Sequence, residues 1–146
     1  MRFRLQLAAT ARAAIERACR AAWPREVVAL LGGNGGDVGP WRVDAVEVLA
    51  DARTSGDAFD VDAVAFARGE HALRERGRRF VGFVHSHPGG AAAPSVRDRQ
   101  QLWSDCVQMI AATDGDGVTL RAFRLRGERV EPLPIDDVPA AEAATP

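Results

Sequence analysis

Phe80-Val81-Gly82-Phe83-Val84-His85-Ser86-His87-Pro88 is the stretch on which the reading of this chain turns. Residues 80–84 carry no charge and are rich in aromatic and β-branched side chains, which predicts a strand buried on both faces. That strand runs directly into His85-Ser86-His87-Pro88. Successive side chains of a strand alternate between its faces, so His85 and His87, two apart, point to the same side. This is what two ligands of one ion require.

The residues that follow supply a candidate third ligand. Gly89-Gly90-Ala91-Ala92-Ala93 reads as a loop of small residues, and Pro94-Ser95 opens a helix predicted to run to about Ser104. With Ser95 as its N-cap, Asp98 occupies the third helical position. Two imidazoles and one carboxylate are a common zinc set that leaves a fourth position for water. Zinc lowers the pKa of such a water to about 7 and supplies hydroxide at neutral pH. Each residue alone has an ordinary explanation: a histidine at a strand end, a serine cap, an acid at the positive end of a helix. Two of the chain's three histidines in this spacing, followed by a capped helix with an acid at that offset, outweigh those separate explanations.

Working outward, Phe3, Leu5 and Leu7 alternate as in a short strand, and Ala11, Ile15, Ala18 and Ala22 mark a helix over about 8–22, stopped by Pro24. Val27-Val28-Ala29-Leu30-Leu31 reads as a second buried strand ended by Gly32-Gly33. The turn Asn34-Gly35-Gly36-Asp37 then leads to a β-rich run from Trp41 to Leu49, so a hairpin is expected. Residues 50–58 read as loop, 59–61 as a short strand and 62–78 as a helix, within which Gly69 costs about 1 kcal/mol relative to alanine. Strands are predicted over 106–112 and 118–125, joined by the turn at 114–117, with a last short strand near Val130. From Pro132 the composition is proline, alanine and acid, which predicts a flexible tail over 132–146 after a single domain over 1–131. The expected fold is α/β: a single-domain mixed, largely antiparallel sheet flanked by about three helices.

Composition narrows the function. The chain has 146 residues, 47% of them hydrophobic, and a formal net charge of -1, so nothing in its overall charge calls for a nucleic acid or a membrane surface. No apolar run approaches the roughly 20 residues of a membrane span. The first seven residues alternate polar and apolar and lack the apolar centre of a signal peptide, which predicts a cytoplasmic protein. Only two cysteines occur, Cys19 and Cys106, far apart and without zinc-knuckle spacing; two buried thiols in a reducing compartment are expected. All 19 basic residues are arginine, so there is no lysine amine to accept a conjugate. His71 reads as a structural or surface residue, Trp23, Trp41 and Trp103 as core, and the arginines at 74, 76, 78 and 79 as a solvated helix end.

The pattern His85-Ser86-His87-Pro88, seven residues to Ser95 and two more to Asp98, resembles the signature of the JAMM (also called MPN, or JAB-domain) zinc metalloproteases. Upstream, Glu26 opening Val27-Val28-Ala29-Leu30-Leu31-Gly32 is similar to the family's other hallmark, with Ala29 where glycine is usual, a change that touches packing more than chemistry. Phe59-Asp60-Val61-Asp62 and Phe80-Val81-Gly82-Phe83 also fit, and the resemblance spans roughly residues 1–130. It implies an MPN/JAB-like fold, similar to the cytidine-deaminase-like arrangement. It also implies that His85, His87 and Asp98 ligate one Zn2+ that carries a catalytic water. Glu26 is implied as general base, Ser95 as a hydrogen-bond donor to the oxyanion, and Ser86 as a support behind the ligands. A hydroxyl that caps its helix is less free to donate, which leaves Ser95 between cap and catalytic group.

The compact bacterial type implies hydrolysis of a peptide or isopeptide bond after the C-terminal tail of a ubiquitin-like or sulfur-carrier protein. Conjugation-pathway enzymes are then possible partners. The alternative is a non-catalytic MPN scaffold, which the family also contains; survival of all three ligands and the glutamate argues against it. A DNA-repair branch with a related motif carries asparagine where this chain has Ser86, and no convincing nucleic-acid surface is visible.

Overall fold

The computed structural model describes residues 4–35, 40–49, 53–55, 58–61, 63–90, 92, 106–114, 116–126 and 128–139. In chain order these form β1 (Leu5–Ala8), α1 (Ala9–Ala22), β2 (Val28–Asn34), β3 (Trp41–Val48), β4 (Arg53–Ser55) and β5 (Ala58–Asp60). They continue as α2 (Ala63–Glu75), β6 (Arg79–Pro88), β7 (Val107–Thr113), β8 (Val118–Arg126), β9 (Arg129–Leu133) and β10 (Ile135–Val138). The main sheet has the order β10-β1-β3-β2-β6-β7-β8-β9, and β4 and β5 form a separate pair. The β1–β10, β1–β3 and β6–β7 neighbours are parallel and the rest antiparallel, so the sheet is mixed and mostly antiparallel as expected.

The outermost strands of this sheet, β9 and β10, are separated in sequence by Pro134 alone. One intervening residue spans at most about 7 Å, so the two edges meet and the sheet is drawn round on itself. The Leu5 amide donates to the Pro134 carbonyl at 2.9 Å, where β10 begins its pairing with β1. The enclosed side is filled by α1: Ala11, Ile15 and Cys19 pack with Leu5, Leu31, Val84 and Met109 in one buried cluster. On the other face α2 covers a second cluster that includes Leu30, Leu73 and Phe83. There Phe66 of α2 meets Phe80 edge-on at 5.0 Å between ring centroids.

Gly69 answers the objection its helix raised. A Cβ at this position would lie 2.7 Å from Leu30 Cδ1 and 2.9 Å from Leu49 Cδ2, so the missing side chain lets α2 settle onto β2.

Several expectations need correction. The segment from Pro132 is not a loose tail as far as Val138. Pro132 lies within β9, and β10 pairs with β1 from Leu5↔Ile135 to Ala8↔Val138. Its acids are used: Arg4 donates twice to Asp136, at 2.7 Å each, and Arg12 donates to Asp137 at 2.7 and 3.2 Å. The Arg4 guanidinium holds the Asp136 carboxyl below the usual carboxylate range. Composition misjudged this stretch because its order comes from a partner strand and two arginines more than 120 residues away in sequence. Residues 140–146 lie outside the described residues. Likewise 50–58, read as loop, contains β4 and the start of β5. Gly32-Gly33 does not end β2; the register shifts there and the strand continues to Asn34. Trp41 is buried, but Trp23 is 40% exposed, at the turn after α1. Among the described residues there are two helices; the third, expected from Ser95, and Trp103 lie outside them.

A Cβ added at Gly82 would collide with the Val107 carbonyl oxygen, which belongs to the neighbouring parallel strand. Backbone held in a ladder cannot yield as a side chain can. Gly82→Ala is therefore expected to lower unfolding free energy by about 2–4 kcal/mol, read from urea denaturation; an unchanged midpoint would contradict the packing of β6 on β7.

Candidate metal site

β6 is a central strand, hydrogen-bonded to β2 on one side and to β7 on the other. Phe83, His85 and His87 share the face that α2 packs on, whereas Val84 and Ser86 face α1. His85 is 2% exposed and sits opposite Val28 on β2 and Ile110 on β7. His87, half-buried, lies one step nearer the end of the strand. The two rings approach with centroids 4.8 Å apart at 60°, and their Nε2 atoms are 3.0 Å from each other.

That separation bears on the expected zinc. Two nitrogens each about 2.0–2.1 Å from a zinc ion and a tetrahedral angle apart lie roughly 3.3 Å from one another. The observed pair is close to this spacing, with the same nitrogen of each ring in contact. The donor set fits. Asp98, the expected third ligand, and Ser95 lie outside the described residues. Among the described residues no group of three or more His, Cys, Asp or Glu side chains is arranged to hold a metal ion.

Glu26 is placed by the β2–β6 pairing. From Leu31↔Gly82 to Val28↔His85 the register is constant. The next pair out is Val27 and Ser86: the Ser86 amide donates to the Val27 carbonyl at 2.9 Å, and the Val27 amide donates to Ser86 Oγ at 2.8 Å. One further step in the same register sets Glu26 across from His87, on the face of Val28 and His85. Directly opposed residues of an antiparallel pair have Cβ atoms about 4.5–5.5 Å apart. Glu26 is half-buried, and continuing the register points it to the side of the strand that carries the imidazoles. The departure at Ala29 is harmless to the site, because its side chain is buried on the α1 face.

The remaining residues singled out from sequence have structural roles. His71 is exposed on α2 and pairs with Glu75 at 2.9 Å. Arg76 and Arg78 bind Glu47 and Asp44 of β3, at 3.0 and 2.7 Å, so the arginine cluster ties the end of α2 to the sheet. Two features had no sequence signal. The loop after the histidines is pinned at its root, where the Gly89 amide donates to the Thr113 carbonyl at 2.6 Å and the Gly90 amide to the His87 carbonyl at 3.1 Å. Gln108, buried opposite Phe83, donates from Nε2 to Cys106 Sγ at 3.5 Å.

The family model for prokaryotic homologs of the JAB domain matches residues 8–126. Among solved structures, a Desulfitobacterium hafniense protein is similar at 22% identity and a TM-score of 0.81, over 92% of this chain and 93% of that one. A Salinibacter ruber protein is similar at 27% identity and a TM-score of 0.59, over 86% and 85%. A JAB1/MPN domain protein from Archaeoglobus fulgidus is similar at 18% identity and a TM-score of 0.57, over 92% and 96%. No curated protein matches the sequence.

Neither cysteine belongs to the chemistry. Both are buried free thiols, and burial, helped by Glu16, pushes the Cys19 thiol up to about 11. The native protein is expected to leave both unmodified by a thiol reagent at neutral pH and to react at both once unfolded. Rapid labelling of the folded protein would show a thiolate the structure does not provide.

Proposed function

Because the chain belongs to the prokaryotic homologues of the JAB domain, a family that includes zinc-dependent isopeptidases and non-catalytic scaffolds, we propose that it is a zinc-dependent metallopeptidase of the isopeptidase type. The observation that carries this reading is the convergence of His85 and His87 Nε2 to 3.0 Å at the end of β6, with Glu26 next in register. A scaffold needs no such pair.

His85, His87 and Asp98 would hold the ion. A zinc bound there supplies Lewis-acid polarisation and an acidified water. The Glu26 carboxylate takes a proton from the attacking water and returns it to the leaving amine nitrogen, one acid–base group serving both halves of the hydrolysis. Ser95 is assigned a hydrogen bond to the developing oxyanion, by the match of its position to the family motif.

The substrate proposed is the C-terminal tail of a ubiquitin-like or sulfur-carrier protein, cut at a peptide or isopeptide bond, with conjugation-pathway enzymes as partners. Its support is steric. The histidines are followed by Gly89 and Gly90, both exposed, and residues without side-chain bulk next to the site suit an extended, glycine-rich tail. A cytoplasmic setting is consistent with two free thiols. Among the described residues no helix is long and apolar enough to cross a membrane.

Protein purified without added metal is expected to contain one zinc per chain by elemental analysis, and His87→Ala to lose it with the fold retained. Glu26→Gln should keep the zinc and lose about 10²- to 10⁴-fold in turnover, the usual contribution of a general base. Wild-type protein that neither carries nor takes up zinc would leave the scaffold reading.

For the substrate, ubiquitin-like proteins of the source organism fused through their tails to a reporter are to be compared with unstructured peptides of the same tail sequence. Chelator-sensitive cleavage of the fusions at the tail is the expected result. Equal cleavage of the loose peptides would mean a general peptidase that recognises no folded partner.

A further inference from the structure

Glu26 stands outside β2, which begins at Val28, so the ladder itself does not fix its backbone. The Val27–Ser86 pair ties the neighbouring residue to the sheet, and that pair is irregular. At the hydrogen-bonded pairs of an antiparallel ladder, which alternate with non-bonded ones, the two residues exchange two backbone bonds, each amide donating to the other's carbonyl. Here one is regular, from the Ser86 amide to the Val27 carbonyl. In the other direction the Val27 amide donates to Ser86 Oγ, at 2.8 Å. Ser86 is buried, on the α1 face between His85 and His87, where it borders a small cleft with Ile15, Cys19, Ala29 and Val84. Its hydroxyl is therefore turned away from the imidazoles and toward the strand that delivers the glutamate.

We propose that Ser86 is a positioning residue whose hydroxyl fixes the Val27 amide and so holds the Glu26 carboxylate opposite the histidine pair. This rests on the reading of Glu26 as general base and gives the serine between the histidines a specific task. Alanine at 86 leaves the ligands on their strand but removes the acceptor of a partly buried amide, and the chain before Val28 gains freedom. A general base displaced by about 1 Å can cost up to about 10²-fold in rate. Threonine keeps the hydroxyl and adds one methyl group on the side of the cleft.

Ser86→Ala, Ser86→Thr and Ser86→Ala in the Glu26→Gln background are to be compared with wild type. The readouts are zinc content, kcat and KM on the reporter fusion, and amide hydrogen exchange at Val27 in metal-free protein. Ser86→Ala is expected to retain its zinc, lose about 10- to 100-fold in kcat at little change in KM, and exchange the Val27 amide faster. Ser86→Thr should stay within a few-fold of wild type in every readout. In the Glu26→Gln background the alanine should cost almost nothing more, because the residue it acts through is already disabled.

Loss of zinc in Ser86→Ala, the same further loss of rate in the Glu26→Gln background, or unchanged exchange at Val27 would each overturn the assignment. If Ser86→Ala does not fold, Ser86→Cys keeps the volume with a weak acceptor and is held to the same outcomes. A wild-type protein without zinc or turnover fails the functional reading first, before any substitution is made, and takes this assignment with it.

Discussion

Everything in this site depends on one antiparallel pairing, that of β2 with β6. The register holds from Leu31↔Gly82 to Val28↔His85, and the Val27–Ser86 bonds continue it. A slip of one residue would turn Glu26 to the α1 side and leave the histidines facing apolar side chains. Burial enforces the register from both sides. Leu30 and Phe83 are committed to the α2 cluster, and Leu31 and Val84 to the α1 cluster. The alternation that packs two cores therefore also sets both imidazoles on the α2 side.

This division of labour explains why a polar pair can end a core strand. The residues of β6 that face α1, Val84 and Ser86, lock the strand into the molecule, while those facing α2 pass from Phe83 to His85 and His87. Burying imidazoles is unfavourable unless their nitrogens are satisfied. The curled sheet supports the arrangement from a distance. With α1 filling its inner side and β10 sealing β1, the central strands have little room to shift, and the end of β6 is held by β7 as far as Pro88↔Thr113.

Most of the elements were legible in the sequence because their signals are local. Alternation marked β1, helical periodicity marked α1, and uncharged β-branched runs marked β2, β6 and β7. The His85–His87 pair was legible because period two needs only two positions to predict a common face. What escaped was non-local. β10 reads as an acidic tail until Arg4 and Arg12 are found beside it, and nothing within residues 132–138 announces a parallel neighbour 130 residues earlier. Gly69 looked like a fault in its helix because the leucines it admits lie on other elements. Trp23 broke the expectation for the opposite reason: a large aromatic was assigned to the core on type alone, whereas its position in the turn after α1 leaves it partly in water.

Glu26 was the least legible of the candidate residues from composition and spacing, and the reason is instructive. It lies 59 residues from His85 in the sequence, outside any strand, as an acid beside an arginine, which ordinarily means a solvated surface pair. No local pattern distinguishes such a residue from the chain's other acids; only the resemblance singled it out. The sheet distinguishes it by counting: continuing the Ala29↔Val84 register three residues outward on both sides brings Glu26 opposite His87. The chemistry proposed here needs an acid at that single position, and the register points to the residue two before β2 begins.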